Sequence, residues 1–166
     1  MRSPTRLLVF VCGSLATLAL AACSGGTATS SPTAAGASPA GGSPAAGQAI
    51  DVTLQEWAVQ PASESVAAGD VTFAVSNTGP EDEHEFVVLK TDLDAGALPT
   101  DDTGAVIEES EGITVIDEIE DIPVGETQDL SVALDAGHYV LLCNIYTEAE
   151  QEAHYTLGMR TNFTVE

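Results

Sequence analysis

The chain has 166 residues, of which 26 are Asp or Glu and four are Lys or Arg, for a formal net charge of −22. A surface so acidic repels nucleic acid and anionic lipid headgroups and attracts basic partners, so polyanion binding is excluded. Acidity also serves solubility or tolerance of salt, so charge alone names no partner.

The first segment reads as a targeting signal. Arg2 and Arg6 form a positive region, Leu7 to Leu20 an apolar one, and small residues follow. The apolar run is too short for a comfortable membrane span. Leu20-Ala21-Ala22-Cys23 resembles the bacterial lipobox, which implies a signal peptide at 1–22, cleavage before Cys23 and lipid attachment to its sulfur. Removal of that signal leaves Lys90 and Arg160 as the only basic residues. Residues 23–49 continue as an uncharged Ala/Gly/Ser/Pro-rich stretch that cannot bury a core. By random-coil scaling this tether spans on the order of 30 Å.

Residues 50–166 have the size of one domain with one core. Ile50 to Leu54 alternates apolar and polar, the mark of a strand with one buried face, and Trp57 and Val59 extend it until Pro61 breaks the pairing. Val71 to Val75 alternates again and ends in the turn Asn77-Thr78-Gly79-Pro80. Phe86 to Leu89 is apolar on both faces. From Thr91 to Gly112 the pattern fades into a long excursion, with a short helix expected near Ala105 to Glu109. Ile113 to Ile119, Leu130 to Leu134, Tyr139 to Cys143 and Phe163 to Val165 supply further strands separated by turns. Many short strands with turn signals between them predict an all-β antiparallel sandwich or barrel.

Chemistry-bearing residues concentrate near the end of the chain. Cys12 lies in the signal and Cys23 at its cleavage site, which leaves Cys143 alone in the domain. A lone thiol on the oxidising side of a membrane is buried, paired between chains, or bound to metal. His154 and Met159 follow it closely, and His84 opens the apolar run before Leu89. Two His, one Cys and a weak axial Met form the donor set of a blue-copper site. Each residue also has a plainer reading: a packed thiol, a solvated His among Glu81, Asp82, Glu83 and Glu85, a core Met. Those carboxylates favour protonated His84 and compete with metal. Asn77 and Asn144 are either turn residues or hydrogen-bond partners of the Cys143 sulfur. His138 lies five residues before Cys143, on the opposite strand face, and is left outside the set. No Gly-x-Ser-x-Gly, phosphate-cradling loop or three-His cluster argues for an enzyme.

Two blocks resemble the cupredoxins, the plastocyanin-like blue copper proteins. The first is Val71 to Gly79 followed by His84-Glu85-Phe86-Val87-Val88. The second is Gly137-His138-Tyr139, Cys143, and His154-Tyr155-Thr156-Leu157-Gly158-Met159. The resemblance implies a cupredoxin-like Greek-key sandwich of about seven to eight strands. It also implies one Cu(I)/Cu(II) ion on His84, Cys143, His154 and Met159, with electrons leaving through an exposed edge of His154. The role it implies is that of a lipid-anchored, extracytoplasmic electron carrier on the bacterial cell membrane, and not of an enzyme. Its expected partners are redox proteins with basic docking surfaces, a cytochrome or a membrane oxidase, met by a monomer. Copper storage or delivery, and a metal-free adhesive sandwich, are the alternatives. One feature departs from the family, which has two to four residues between Cys and His. Here ten lie between Cys143 and His154, expected as a short acidic helical turn.

Overall fold

The computed structural model describes residues 47–166; the expected signal peptide, Cys23 and the tether as far as residue 46 lie outside them. Two sheets face each other. One has the strand order β2-β1-β4-β7, built from β1 (Gln48–Gln55), β2 (Ala58–Pro61), β4 (Gly69–Asn77) and β7 (Thr127–Leu134). The other has the order β3-β11-β8-β5-β6, from β3 (Ser65–Val66), β5 (His84–Lys90), β6 (Thr114–Ile122), β8 (Gly137–Leu142) and β11 (Arg160–Val165). Pairing is antiparallel except for β1 with β4 and β3 with β11. A two-stranded hairpin, β9 (Tyr146–Thr147) with β10 (Glu152–Ala153), and a single helical turn, α1 (His154–Leu157), complete the described residues. Setting aside the two-residue pieces β3, β9 and β10, eight strands remain, and the all-β sandwich stands as predicted.

Alternation decides which side chains meet. On β4, Val71, Phe73 and Val75 turn inward to the core between the sheets. Phe86 and Val88 of β5 join them from the opposite sheet, as do Tyr139 and Leu141 of β8 and Phe163 of β11. Phe73 stacks against Phe86 and Phe163 at centroid separations of 5.4 and 5.7 Å. Burial of each such ring stabilises the fold by about 1.5–3 kcal/mol.

The continuous apolar runs on β5 and β8 have a second cause. Val87, Leu89, Val140 and Leu142 point to the outer face of the five-stranded sheet. There they pack against Ala95, Leu98, Val106 and Tyr155. The excursion between β5 and β6 is therefore the lid of a second core. Tyr155 pins it, its hydroxyl donating to Ala95 O at 2.7 Å and accepting from Leu98 N at 3.2 Å.

Two expected local features differ. No helix forms near Ala105 to Glu109. Asp101 Oδ1 instead accepts the N–H groups of Thr103, Gly104 and Ala105, and Val106 pairs in an isolated bridge with Thr100. Trp57 does not prolong the first strand either. The chain turns at Glu56 and Trp57 and comes back as β2, placing Pro61 opposite Val52 on the sheet edge, where a missing N–H is tolerated. Among the described residues no helix is long and apolar enough to cross a membrane.

Candidate metal centre

His84 is the first residue of β5 and Cys143 follows the last of β8, strands that are neighbours in one sheet. The β5–β6 register slips between His84 and Phe86, an irregularity that sets the aim of the first imidazole. His154 opens α1 and Met159 follows it. Main-chain bonds tie the last three together: Cys143 N donates to Met159 O (3.0 Å), Met159 N to His154 O (3.0 Å), and His154 N to Ile145 O (2.9 Å).

Three donor atoms converge. His84 Nδ1 lies 3.2 Å from His154 Nδ1, and Cys143 Sγ lies 3.4 Å from His154 Nδ1. All three side chains are buried and form a group able to hold one metal ion. Met159 is wholly buried in the core cluster that contains Cys143. Two nitrogens each about 2 Å from one ion stand roughly 3.2–3.5 Å apart at tetrahedral to trigonal angles, and the imidazoles already have that separation. The thiolate, two imidazoles and thioether fit copper by softness and number. His84, Cys143, His154 and Met159 form a candidate type 1 copper site.

Burial sets the protonation states. It pushes the Cys143 thiol up to about 12, against the pull of the Glu85 and Ile145 N–H groups. It also lowers the pKa of both imidazoles, His154 lowering that of His84 further. Glu56 and Asp82 work the other way on His84, but desolvation prevails, so the acidic surroundings do not protonate it as the sequence suggested. Neutral imidazole is the form that ligates.

Neither asparagine reaches the sulfur. The Asn77 amide donates to Asp82 O and Ile122 O (both 2.8 Å) and accepts from Gly79 N (2.8 Å), bracing the loop that enters His84. The Asn144 amide clamps the excursion, accepting from Val106 N at 2.6 Å and donating to Val106 O at 3.0 Å. The N–H of Glu85, 3.4 Å away, faces the sulfur instead. His138 lies apart from the centre, half-buried, with Nδ1 2.8 Å from Thr91 O.

The insertion after Cys143 is a hairpin and not a helical turn, with Tyr146 opposite Ala153. A further correction concerns His154, which is only 1% exposed and has no free edge. The Trp57 ring stands edge-on to it at 5.0 Å. Trp57 in turn lines a cleft of about 520 Å³ with Glu56, Glu81, Asp82, Glu150 and Glu152. No spacing in the sequence pointed to Glu56 or Trp57, which come from the β1–β2 turn.

No family model matches the chain, and no curated protein does. Solved structures do. Reduced auracyanin from the photosynthetic bacterium Roseiflexus castenholzii superposes with a TM-score of 0.51 at 23% identity, over 74% of this chain and 99% of that one. Auracyanin A of Chloroflexus aurantiacus, described as a "blue" copper protein, gives 0.48 at 20% identity over 71% and 98%. The two-sheet strand order and the likeness to the Roseiflexus protein establish that this chain has the cupredoxin fold.

Proposed function

We propose that this chain carries single electrons between redox partners outside the cytoplasm, using copper held by His84, Cys143, His154 and Met159. The observation that carries the reading is the convergence of two buried imidazoles and one buried thiol within 4.8 Å on a cupredoxin fold. Copper bound there supplies a one-electron Cu(II)/Cu(I) couple. The protein's part is to hold the donors fixed. Main-chain bonds lock Cys143, His154 and Met159 to one another, and the sheet fixes His84 against Cys143. Burial excludes water and keeps both imidazoles in their ligating form. Complete enclosure of both histidines favours a carrier over a protein that hands copper on, because release needs access to the ligands.

The lipobox-like Leu20 to Cys23 supports a lipid anchor on the outer side of the cell membrane. The cleft lined by Trp57, Glu56, Glu81, Asp82, Glu150 and Glu152 connects to His154 through the Trp57 ring, which stands edge-on to the imidazole, and its charge suits basic redox proteins.

The test is an optical titration of the protein with Cu(II). An intense blue or green thiolate-to-copper band, lost in Cys143→Ser, is the expected result. A weak spectrum from nitrogen and oxygen ligands alone would overturn the assignment. For the partner, electron-transfer rates with a basic cytochrome fall as salt rises; salt-independent rates count against docking at the acidic cleft.

A further inference from the structure

We infer that Glu56 is a positioning residue for the copper centre: its carboxylate serves the outer, Nε2–H end of His84 and holds that imidazole with Nδ1 turned inward. The inference rests on His84 being a copper ligand.

The geometry gives His84 two distinct ends. Its Nδ1 faces His154 Nδ1 at 3.2 Å, on the side where Cys143 lies, so Nδ1 is the ligating atom and Nε2 carries the proton. That Nε2 is fully buried and has no hydrogen-bond partner. Glu56 Oε2 is likewise buried and without a partner, and Glu56 Oε1 stands 3.9 Å from His84 Nε2. An unmatched donor thus lies beside a carboxyl group that has one unmatched oxygen, whereas buried polar groups are nearly always paired. The separation is longer than a hydrogen bond. The proposed pairing requires a small rotation of the carboxyl or the imidazole to close it.

Glu56 is itself held in place. Its Oε1 accepts the N–H groups of Glu81 (3.0 Å) and Asp82 (2.7 Å), and its side chain is only 12% exposed. Those two donors lie on the loop that leads into His84. The next residue, Trp57, packs edge-on against His154, so one turn supports both imidazoles from outside. A ligating histidine that gives its second N–H to a carboxylate is fixed in tautomer and made more basic. The negative charge stabilises the more oxidised ion.

The experiment compares the full chain with its Glu56→Gln variant, measuring Cu(II) and Cu(I) dissociation constants by competition and the reduction potential by redox titration. Gln keeps an oxygen for the Glu81 and Asp82 N–H groups, so folding is retained, which circular dichroism checks. The expected result is Cu(II) binding weakened about tenfold or more with Cu(I) affected less. The potential then rises by about 59 mV for each tenfold change in the ratio. Unchanged affinities, or equal weakening of both ions at an unchanged potential, overturn the inference. A second measurement needs no variant: in the diamagnetic Cu(I) protein, the His84 Nε2–H resonance is expected downfield and slow to exchange. A fast-exchanging Nε2–H overturns it equally. Absence of any thiolate-to-copper band in the unaltered protein is a different failure, that of the copper assignment itself.

Discussion

The main-chain N–H of Asn144 donates to Glu85 Oε1 at 2.5 Å, while the N–H of Glu85 faces Cys143 Sγ at 3.4 Å. Each residue directly follows a donor of the candidate centre, so β5 and β8 are cross-braced where the ligands emerge. The brace places a carboxyl group in a half-buried position beside Glu108, Glu118 and Glu120.

Burial first, and then those three neighbours, push the Glu85 pKa up to about 7, against the pull of the Asn144 N–H. The folded protein therefore holds a proton that the unfolded chain releases near 4.5. With the folded pKa raised, this contribution is fully present below pH 4.5 and lost as pH rises through about 7. The difference corresponds to about 3 kcal/mol. Both buried histidines act oppositely, since their lowered values cost stability as pH falls below their ordinary 6.5. Between pH 4.5 and 6.5 the two histidines oppose this decline, so urea unfolding of the metal-free protein at a series of pH values should show it as a difference between the parent and a Glu85→Gln variant. Glu85→Gln keeps the acceptor for Asn144 and should abolish that decline while leaving the histidine limb. A Gln variant with the parent's neutral-range slope would show that Glu85 is not its source.

Copper uptake should carry its own pH signature. The thiol rests near 12 and ligates as thiolate, so binding releases its proton. Above pH 8 the imidazoles and Glu85 no longer change state, and Cu(II) affinity should rise about tenfold per pH unit. Competition titrations between pH 8 and 10 would measure the slope, and a flat profile would mean that Cys143 does not ionise on binding.

Asn77 makes three hydrogen bonds while only 1% exposed, to two carbonyls and one N–H. Asn77→Ala strands all three partners and should cost about 2–4 kcal/mol in the metal-free protein. Because one partner is Asp82 O, copper affinity should fall as well, through loosening of the loop before His84. A loss below about 1 kcal/mol in urea unfolding would mean that water replaces the amide at little cost.

Much of this architecture was legible in the sequence, and the parts that were not share a cause. Alternation in Val71 to Val75 gave the inner face of β4, and the unbroken apolar run Phe86 to Leu89 marked a strand buried on both sides. His84, Cys143, His154 and Met159 stood out as residue types rare elsewhere in the chain. The insertion misled because Glu148 to Ala153 is rich in helix formers. Ten helical residues would separate their ends by about 15 Å. Cys143 Sγ and His154 Nδ1 stand 3.4 Å apart, so the chain must double back, and a hairpin does so. Glu56 and Trp57 were invisible for a related reason. They meet the histidines only through a turn between β1 and β2, and no local pattern records a contact made 28 residues away (Glu56 to His84).

The hairpin itself is open to test by deletion. Removing residues 147–152 leaves Asn144, Ile145, Tyr146 and Ala153 between Cys143 and His154, a spacer of the length expected for a cupredoxin. The bonds from Cys143 N to Met159 O and from Met159 N to His154 O involve none of the deleted residues. The thiolate-to-copper band should therefore persist. The acidic cleft, in contrast, loses the wall made by Thr147, Glu150 and Glu152. Rates with a basic cytochrome should then depend less steeply on ionic strength, while rates with a neutral oxidant should not fall. Stopped-flow measurement over a range of salt would read both. An unchanged salt slope would locate docking elsewhere on the acidic surface. Loss of the band would show that the hairpin is needed to bring His154 to Cys143.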